Sequence, residues 1–412
     1  MTTEATDRHQ EAEDALMGLL MPPHPIDPFP FYETLQSVNR VHNSTGLGVW
    51  ALSGHAEITE FLKRPDVHSG ARIAGQMRPD WADHSSLRLY LKSMVTLNQP
   101  DHGRVRVLAS RVFTPSKIKT MQPAVERLTR NLIDGLAERA AGGEAVDLVE
   151  HLATPFPVAV ICEMLGMPFA DGERLWALAD DWSQVFAGMF PDEVLATADA
   201  AADELSAYFR EQIAARRTNP REDLLTGLVK ESDSGRLDED ELIALVLFLF
   251  TAGFSATTNL IAAGMAGLLD HPDELNRWRE DRSITSSAVE ELLRYSTHNT
   301  ASSRFTTQPV IVGDTEIPEG VLVLALLAAA NRDPLRFPDP HRLILTRNDG
   351  PHLSLSAGAH YCFGGTLAKM EAAELFPALL DAFPKIELAA APERRGVMGL
   401  TSYATLPLSL GR

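Results

Sequence analysis

Between Leu242 and Leu269 the chain runs 28 residues without a charged side chain. At 1.5 Å per residue that run makes a helix of about 42 Å, and an apolar helix of such length is either a membrane span or the core of a large domain. The flanks favour the core: "DEDE" at Asp238 to Glu241 precedes the run, Asp270 follows it, and no Lys or Arg cluster marks a cytoplasmic end. Its middle, "FTAGFSATTN" from Phe250 to Asn259, holds a Gly, a Ser and three Thr. An apolar helix gains nothing from those residues, so they need another reason.

A helix of this kind needs partners on every side. The chain has 412 residues, 45% of them apolar, enough for a sizeable core. "AVERLTRNLIDGLAERAA", "FPVAVICEMLGM", "EVLATADAAADELSAYFREQIAARR", "ITSSAVEELLRY" and "TLAKMEAAELFPALLDAF" carry helical periodicity. "GVWALSG" alternates as a short strand, and "PVIVGDTEIPEGVLVLALLAAAN" reads as a β-hairpin with Gly and Asp between extended runs. "ADHSSLRLYLKSM" lies in a less regular segment suited to covering a pocket. No low-complexity linker divides the chain and no internal repeat was found. The expectation is a mainly α fold with a small β portion, one domain over 1–412, with residues 1–20 as a disordered lead-in.

Acidic residues number 56 against 37 basic ones, a formal net charge of −19, which disfavours nucleic acid and anionic membranes as partners. The start, "MTTEATDRHQEAEDALMGLL", has early acids and no long apolar stretch after a basic one, so it is not a secretory signal. A cytoplasmic protein is expected. Cys162 and Cys362 are the only cysteines, too few for a disulfide framework or a structural zinc site. Cys162 lies at an apolar helical position and reads as buried and inert. Cys362 sits in "HLSLSAGAHYCFGGTLAKME", with Gly358, Gly364 and Gly365 around it and a helix directly after. Glycines permit close backbone approach and a helix N-terminus favours an anion, so this is a place for a thiolate. Taken alone, an ordinary turn before a helix is an equally good reading.

The surrounding motifs decide between the two. "SAGAHYCFG" resembles the cysteine loop of the cytochrome P450 family, whose pattern is Phe-Gly-x-Gly-x-Arg/His-x-Cys-x-Gly. Gly358, His360, Cys362 and Gly364 match it, while Leu355 and Ser356 stand where Phe and the first Gly are usual. Glu291 and Arg294 in "EELLRY" match the family's Glu-x-x-Arg pair, and His102 and Arg106 its His-x-x-x-Arg helix. "NRDP" and "ICEMLGMP" are also similar to bacterial members. The resemblance covers nearly the whole chain.

It implies the P450 fold, with heme b between the long central helix and the cysteine loop. Cys362 would be the iron's axial ligand, and His102, Arg106, Arg304 and His360 would neutralise the heme propionates. Gly358 and Gly364 would shape the loop, and the Glu291–Arg294 pair would be tied to Arg342 of the Pro-rich coil "FPDPHRL". No flavin or nicotinamide fingerprint of the Gly-x-Gly-x-x-Gly kind is present, so electrons would come from a ferredoxin and ferredoxin reductase or an equivalent donor. Arg104, Arg111, Lys117, Lys119 and Lys369 are the expected docking charges.

By the same resemblance, the central helix crosses the oxygen-binding side of the heme with a Gly-rich kink. The family pattern there is Ala/Gly-Gly-x-Asp/Glu-Thr-Thr, an acid and an alcohol that relay protons. Aligning Ala252 and Gly253 puts Ser255 at the acid and Ala256 at the alcohol. A one-residue slip would bring in Thr257 but turns the helix by about 100°, and Asn259 supports the unslipped register. Three sources of protons stay open: water held by Ser255, a polar group of the substrate, or an unusual use of peroxide. "STHNTASS", Ser296 to Ser303, is polar where apolar substrate contacts are usual. It offers His298, Asn299 and Thr300 to a small, polar secondary metabolite, with Phe254 nearby or packed in the core. The expected reaction is hydroxylation or a similar monooxygenation. Oxidative C–C or C–N coupling and a non-catalytic docking module are the alternatives.

Overall fold

The computed structural model describes residues 3–21, 24–69, 78–188, 190–397 and 400–411. The uncharged run lies within one continuous α-helix, Glu239–Asp270, which starts at a capping box between Asp238 and Glu241. By length and composition it could cross a membrane, yet most of it is buried against the helices Pro155–Leu165, Ser85–Lys92, Asp192–Thr218 and Thr285–Tyr295. It is therefore the spine of a helical core, to which Leu242, Ile243, Val246, Phe250, Ile261 and Met265 contribute. The stretch "FTAGFSATTN" does not break it. Gly253 instead allows close packing: a Cβ there would stand 3.0 Å from Ile161 Cδ1, so the glycine serves the approach of helix Pro155–Leu165.

The β portion includes a five-stranded sheet in the order 41–44, 49–52, 322–325, 302–306, 67–69. Only the pair 49–52 and 322–325 is parallel, Val49 lying opposite Leu322. "PVIVGDTEIP" forms the hairpin Val310–Val312 with Thr315–Ile317. The segment expected to be irregular carries a short 3₁₀ turn at Trp81–Asp83 and the helix Ser85–Lys92.

From Thr3 onward the expected disordered lead-in is instead helical. Thr3–Leu20 is a helix whose Ala12, Ala15, Leu16 and Leu19 pack with Tyr32 and Leu35 of the next helix, Phe29–Val38. Their spacing is a helical stripe that the many intervening acids obscure. One of those acids, Glu13, is bound at 2.9 Å to His42 and accepts from Ser44 Oγ at 3.0 Å and the Gly46 amide at 2.8 Å.

Candidate active site

Three elements carry the residues expected at the site. The first is its own loop, which ends where the helix Gly365–Ala382 begins. The Cys362 amide donates to Leu355 O at 2.8 Å, closing the loop on itself. Burial pushes the thiol up, while the Gly364 and Gly365 amides and the Arg106 charge act the other way, on the thiolate's side. Gly358 has φ +69°, and a Cβ on it would come within 2.1 Å of Leu62 O. Only glycine fits there. Ser356 also has positive φ, 61°, at the place where the family pattern has its first Gly. The departure changes the side chain and leaves the backbone bend in place.

The second element is the helix Asp101–Val112, which carries His102 and Arg106. With Arg304 from the strand Ser302–Thr306 and His360 from the loop, these form a basic cluster. The His102 and His360 rings stand 4.1 Å apart, and Arg106 donates to Tyr361 O at 2.8 Å. Arg304 donates to Ser302 Oγ and Ser303 O, so its partners are neutral. Burial and the neighbouring positive groups push His360 down to about 3, and burial pushes Arg304 down to about 10. Both ring nitrogens of His102 are buried without a hydrogen-bond partner. Buried basic groups with no carboxylate among their partners are costly unless an anion joins them. An anionic group with several acceptors, such as a pair of carboxylates, would satisfy them.

The third element is the middle of the central helix. Ala252 and Ala256, one turn apart, are exposed although their neighbours Thr251, Phe254 and Thr257 are buried. Small exposed residues in the centre of a core helix mean that this face borders an opening. Ser255 reaches out of the same stretch to His298 Nε2 at 3.3 Å. Thr257 faces elsewhere, and its hydroxyl donates to Glu371 Oε2 at 3.2 Å on the helix Gly365–Ala382.

Not every expected substrate residue borders this opening. Phe254 is buried and edge-on to Phe250 at 5.8 Å, which in turn meets Phe209 at 5.9 Å; it is core packing. The Thr300 side chain hydrogen-bonds Tyr32. Asn299 is exposed, and His298 is half-buried against the central helix.

The Glu291–Arg294 pair is buried and bidentate, at 2.7 and 2.8 Å. Arg294 also donates to the carbonyls of Asn331, Pro340 and Arg342. Arg342 thus enters with its backbone, and the side chain that reaches Glu291 is that of Arg347, at 3.1 Å. Spacing along a Pro-punctuated coil does not say which of its arginines points inward. Asn331 carries the link to the cysteine loop: it accepts from the Leu353 amide at 2.6 Å and donates to Ser354 Oγ at 2.7 Å. Glu371 was not anticipated at all. Its place on the buried stripe with Leu367 and Leu375 was the available signal.

A cysteine at a helix start, four basic groups whose partners among the described residues include no acid, and a helix with an open small-residue face are what an anionic, thiolate-ligated prosthetic group would require. The Cytochrome P450 family model matches residues 57–390, and the chain belongs to that family. It is 36% identical over 383 residues to the cytochrome P450 monooxygenase PikC of Streptomyces venezuelae, covering 91% of this chain and 88% of that protein. It is 38% identical over 301 residues to the 6-deoxyerythronolide B hydroxylase of Saccharopolyspora erythraea, covering 73% and 72%. The crystal structure of P450BioI with an acyl carrier protein carrying hexadec-9Z-enoic acid superimposes with a TM-score of 0.87 at 29% identity, covering 93% of this chain and 99% of that one. The protein is a P450 monooxygenase, and its cofactor is heme b.

Proposed function

We propose that this P450 oxidatively tailors a small, polar secondary metabolite in the cytoplasm, by hydroxylation or a similar insertion of one oxygen, with the chain acting as one catalytic unit. The observation that carries the reading is the basic cluster: His102, Arg106, Arg304 and His360 are brought together from three separate elements, beside Cys362 and without a carboxylate. Cys362 would then bind the heme iron, and the four basic side chains would hold the heme carboxylates. Gly358 gives the loop its close approach to Leu62, and the Gly364 amide faces the Cys362 thiol. When bound, a thiolate-ligated heme supplies the activation of O2 and the oxidising power for attack on the substrate.

What this chain adds lies on the central helix. Ala252 and Ala256 keep the oxygen side apolar and narrow in reach, and Ala256 offers no hydroxyl where the family has one. Ser255 and His298 put a hydroxyl and an imidazole at the edge of the same opening, where they can orient a heteroatom-bearing substrate. Electrons come from a ferredoxin and its reductase, since the chain has no flavin or nicotinamide motif of its own.

The reduced protein with carbon monoxide should show the absorption band of a thiolate-ligated heme, and Cys362→Ser should abolish it. Absence of the band in the parent protein would overturn the reading. Turnover of candidate metabolites should then give products heavier by one oxygen. Products lacking two hydrogens, or coupled, would replace hydroxylation by oxidative bond formation.

A further inference from the structure

The seam between the central helix and the segment after Tyr295 is polar, and three of its hydroxyls have no partner. Thr251, Ser255 and Thr258 lie at i, i+4 and i+7, so they form one stripe along the helix. Ser255 meets His298 at 3.3 Å, and Asn259 Nδ2 lies 3.5 Å from Ser296 O, which fixes the 296–298 segment as the neighbour of that stripe. The hydroxyls of Thr251, Thr258 and Ser296 are buried and unsatisfied, with Thr251 only 2% exposed. Buried hydroxyls in a row are satisfied by ordered water more readily than left bare. The stripe borders the face carrying Ala252 and Ala256, and at its other edge His298 is half-buried and in reach of solvent.

We propose that His298, acting through Ser255 and through water held by Thr251, Thr258 and Ser296, is the proton relay of the oxygen side, in place of the acid and alcohol that the central helix lacks. The inference rests on the P450 reading above. An imidazolium N–H of His298 passes its proton to Ser255 Oγ or to the adjacent water, and Ser255 releases its own proton toward the pocket. His298 regains a proton from solvent, so one proton moves inward and no electrons are exchanged. Histidine suits the step because its two nitrogens allow uptake at one side and release at the other.

The test uses the heme-loaded protein with its reductase system and one good substrate. His298→Gln keeps a hydrogen-bonding side chain but cannot carry a proton. It should lower product formed per electron pair by about tenfold, less than the full contribution of a positioned acid because water can still enter, with the difference appearing as hydrogen peroxide. The solvent deuterium isotope effect should change with it. Ser255→Asp in the His298→Gln background should recover most of the yield, because it puts a carboxylate on the helix. A readout independent of turnover is the ¹⁵N NMR signal of His298 in the carbon monoxide complex, which should shift on Ser255→Ala.

If His298→Gln only weakens substrate binding and leaves peroxide release and the isotope effect unchanged, His298 is a substrate anchor and the relay is wrong. Unchanged behaviour in every readout would overturn it equally. Loss of the thiolate-heme band in the parent would instead strike the functional reading beneath it, so the two failures are told apart.

Discussion

The Thr257 hydroxyl donates to Glu371 Oε2 at 3.2 Å, and the other carboxyl oxygen of Glu371 has no partner. The side chain is 1% exposed, and burial pushes its pKa up to about 8. At neutral pH Glu371 is therefore a neutral acid in the core. Folding takes up a proton wherever the unfolded chain has already lost it, so the cost is absent below pH 4.5, grows as pH rises, and levels off above about 8. Glu371→Gln should be more stable than the parent by roughly 3 kcal/mol at pH 7, with no margin below the ordinary carboxylate range. Urea unfolding at a series of pH values measures this. A margin independent of pH would mean that Glu371 is ionised in the fold.

Among the described residues Glu291 is the sole carboxylate on Arg294, and it also accepts from the Ile344 amide at 2.9 Å and from Arg347. Glu291→Gln should cost about 3–5 kcal/mol, because it strands the buried Arg294 guanidinium. Arg347→Met should cost less, since Glu291 keeps its bidentate partner. Denaturation midpoints should rank the two in that order, and heme uptake should fall in the first variant before the second.

How much of this was legible beforehand depends on what each residue touches. The core helix followed from one uncharged run, because apolarity over that length has few outcomes. Cys362, His102, Arg106, Arg304 and His360 were found through motif spacing, and only the structure puts them together without an acid. Arg347 was missed because a coil has no periodicity to say which arginine faces inward. Order in Thr3–Leu20 was missed because its apolar stripe is thin and interrupted by acids. The helix runs unbroken through Gly253, which serves the contact with Ile161. Contacts between distant segments, such as Ser255 with His298, lie beyond any local signal.

Ser356 holds a left-handed backbone with φ 61°, and its hydroxyl is buried without a partner. Both features burden a residue with a side chain, and neither burdens glycine. Ser356→Gly should raise stability by about 1 kcal/mol, after allowing for glycine's greater freedom in the unfolded chain. Thermal unfolding of the heme-bound protein would show a rise of a few degrees. A fall in the midpoint would show that the serine hydroxyl contributes more in solution than the bend costs.

The expected docking charges are not equivalent in the fold. Arg104 pairs with Glu241 and Asp101, Arg111 with Glu231 at 3.5 Å, and Lys369 with Glu290 at 2.6 Å. Lys117 and Lys119 are exposed on the helix Pro115–Thr120, and among the described residues neither has an ion pair. Unpaired charges contribute more to long-range attraction than charges whose field an adjacent carboxylate cancels. Reversing both, Lys117→Glu with Lys119→Glu, should slow reduction by an acidic ferredoxin by about tenfold at low ionic strength, with the difference fading as salt screens the encounter. Arg111→Glu should affect this rate less and stability more, because it sets a new negative charge beside Glu231. Stopped-flow reduction across a salt series, with heme content and substrate binding held as controls, separates the two. Equal rates in all variants at low salt would place the donor on another face.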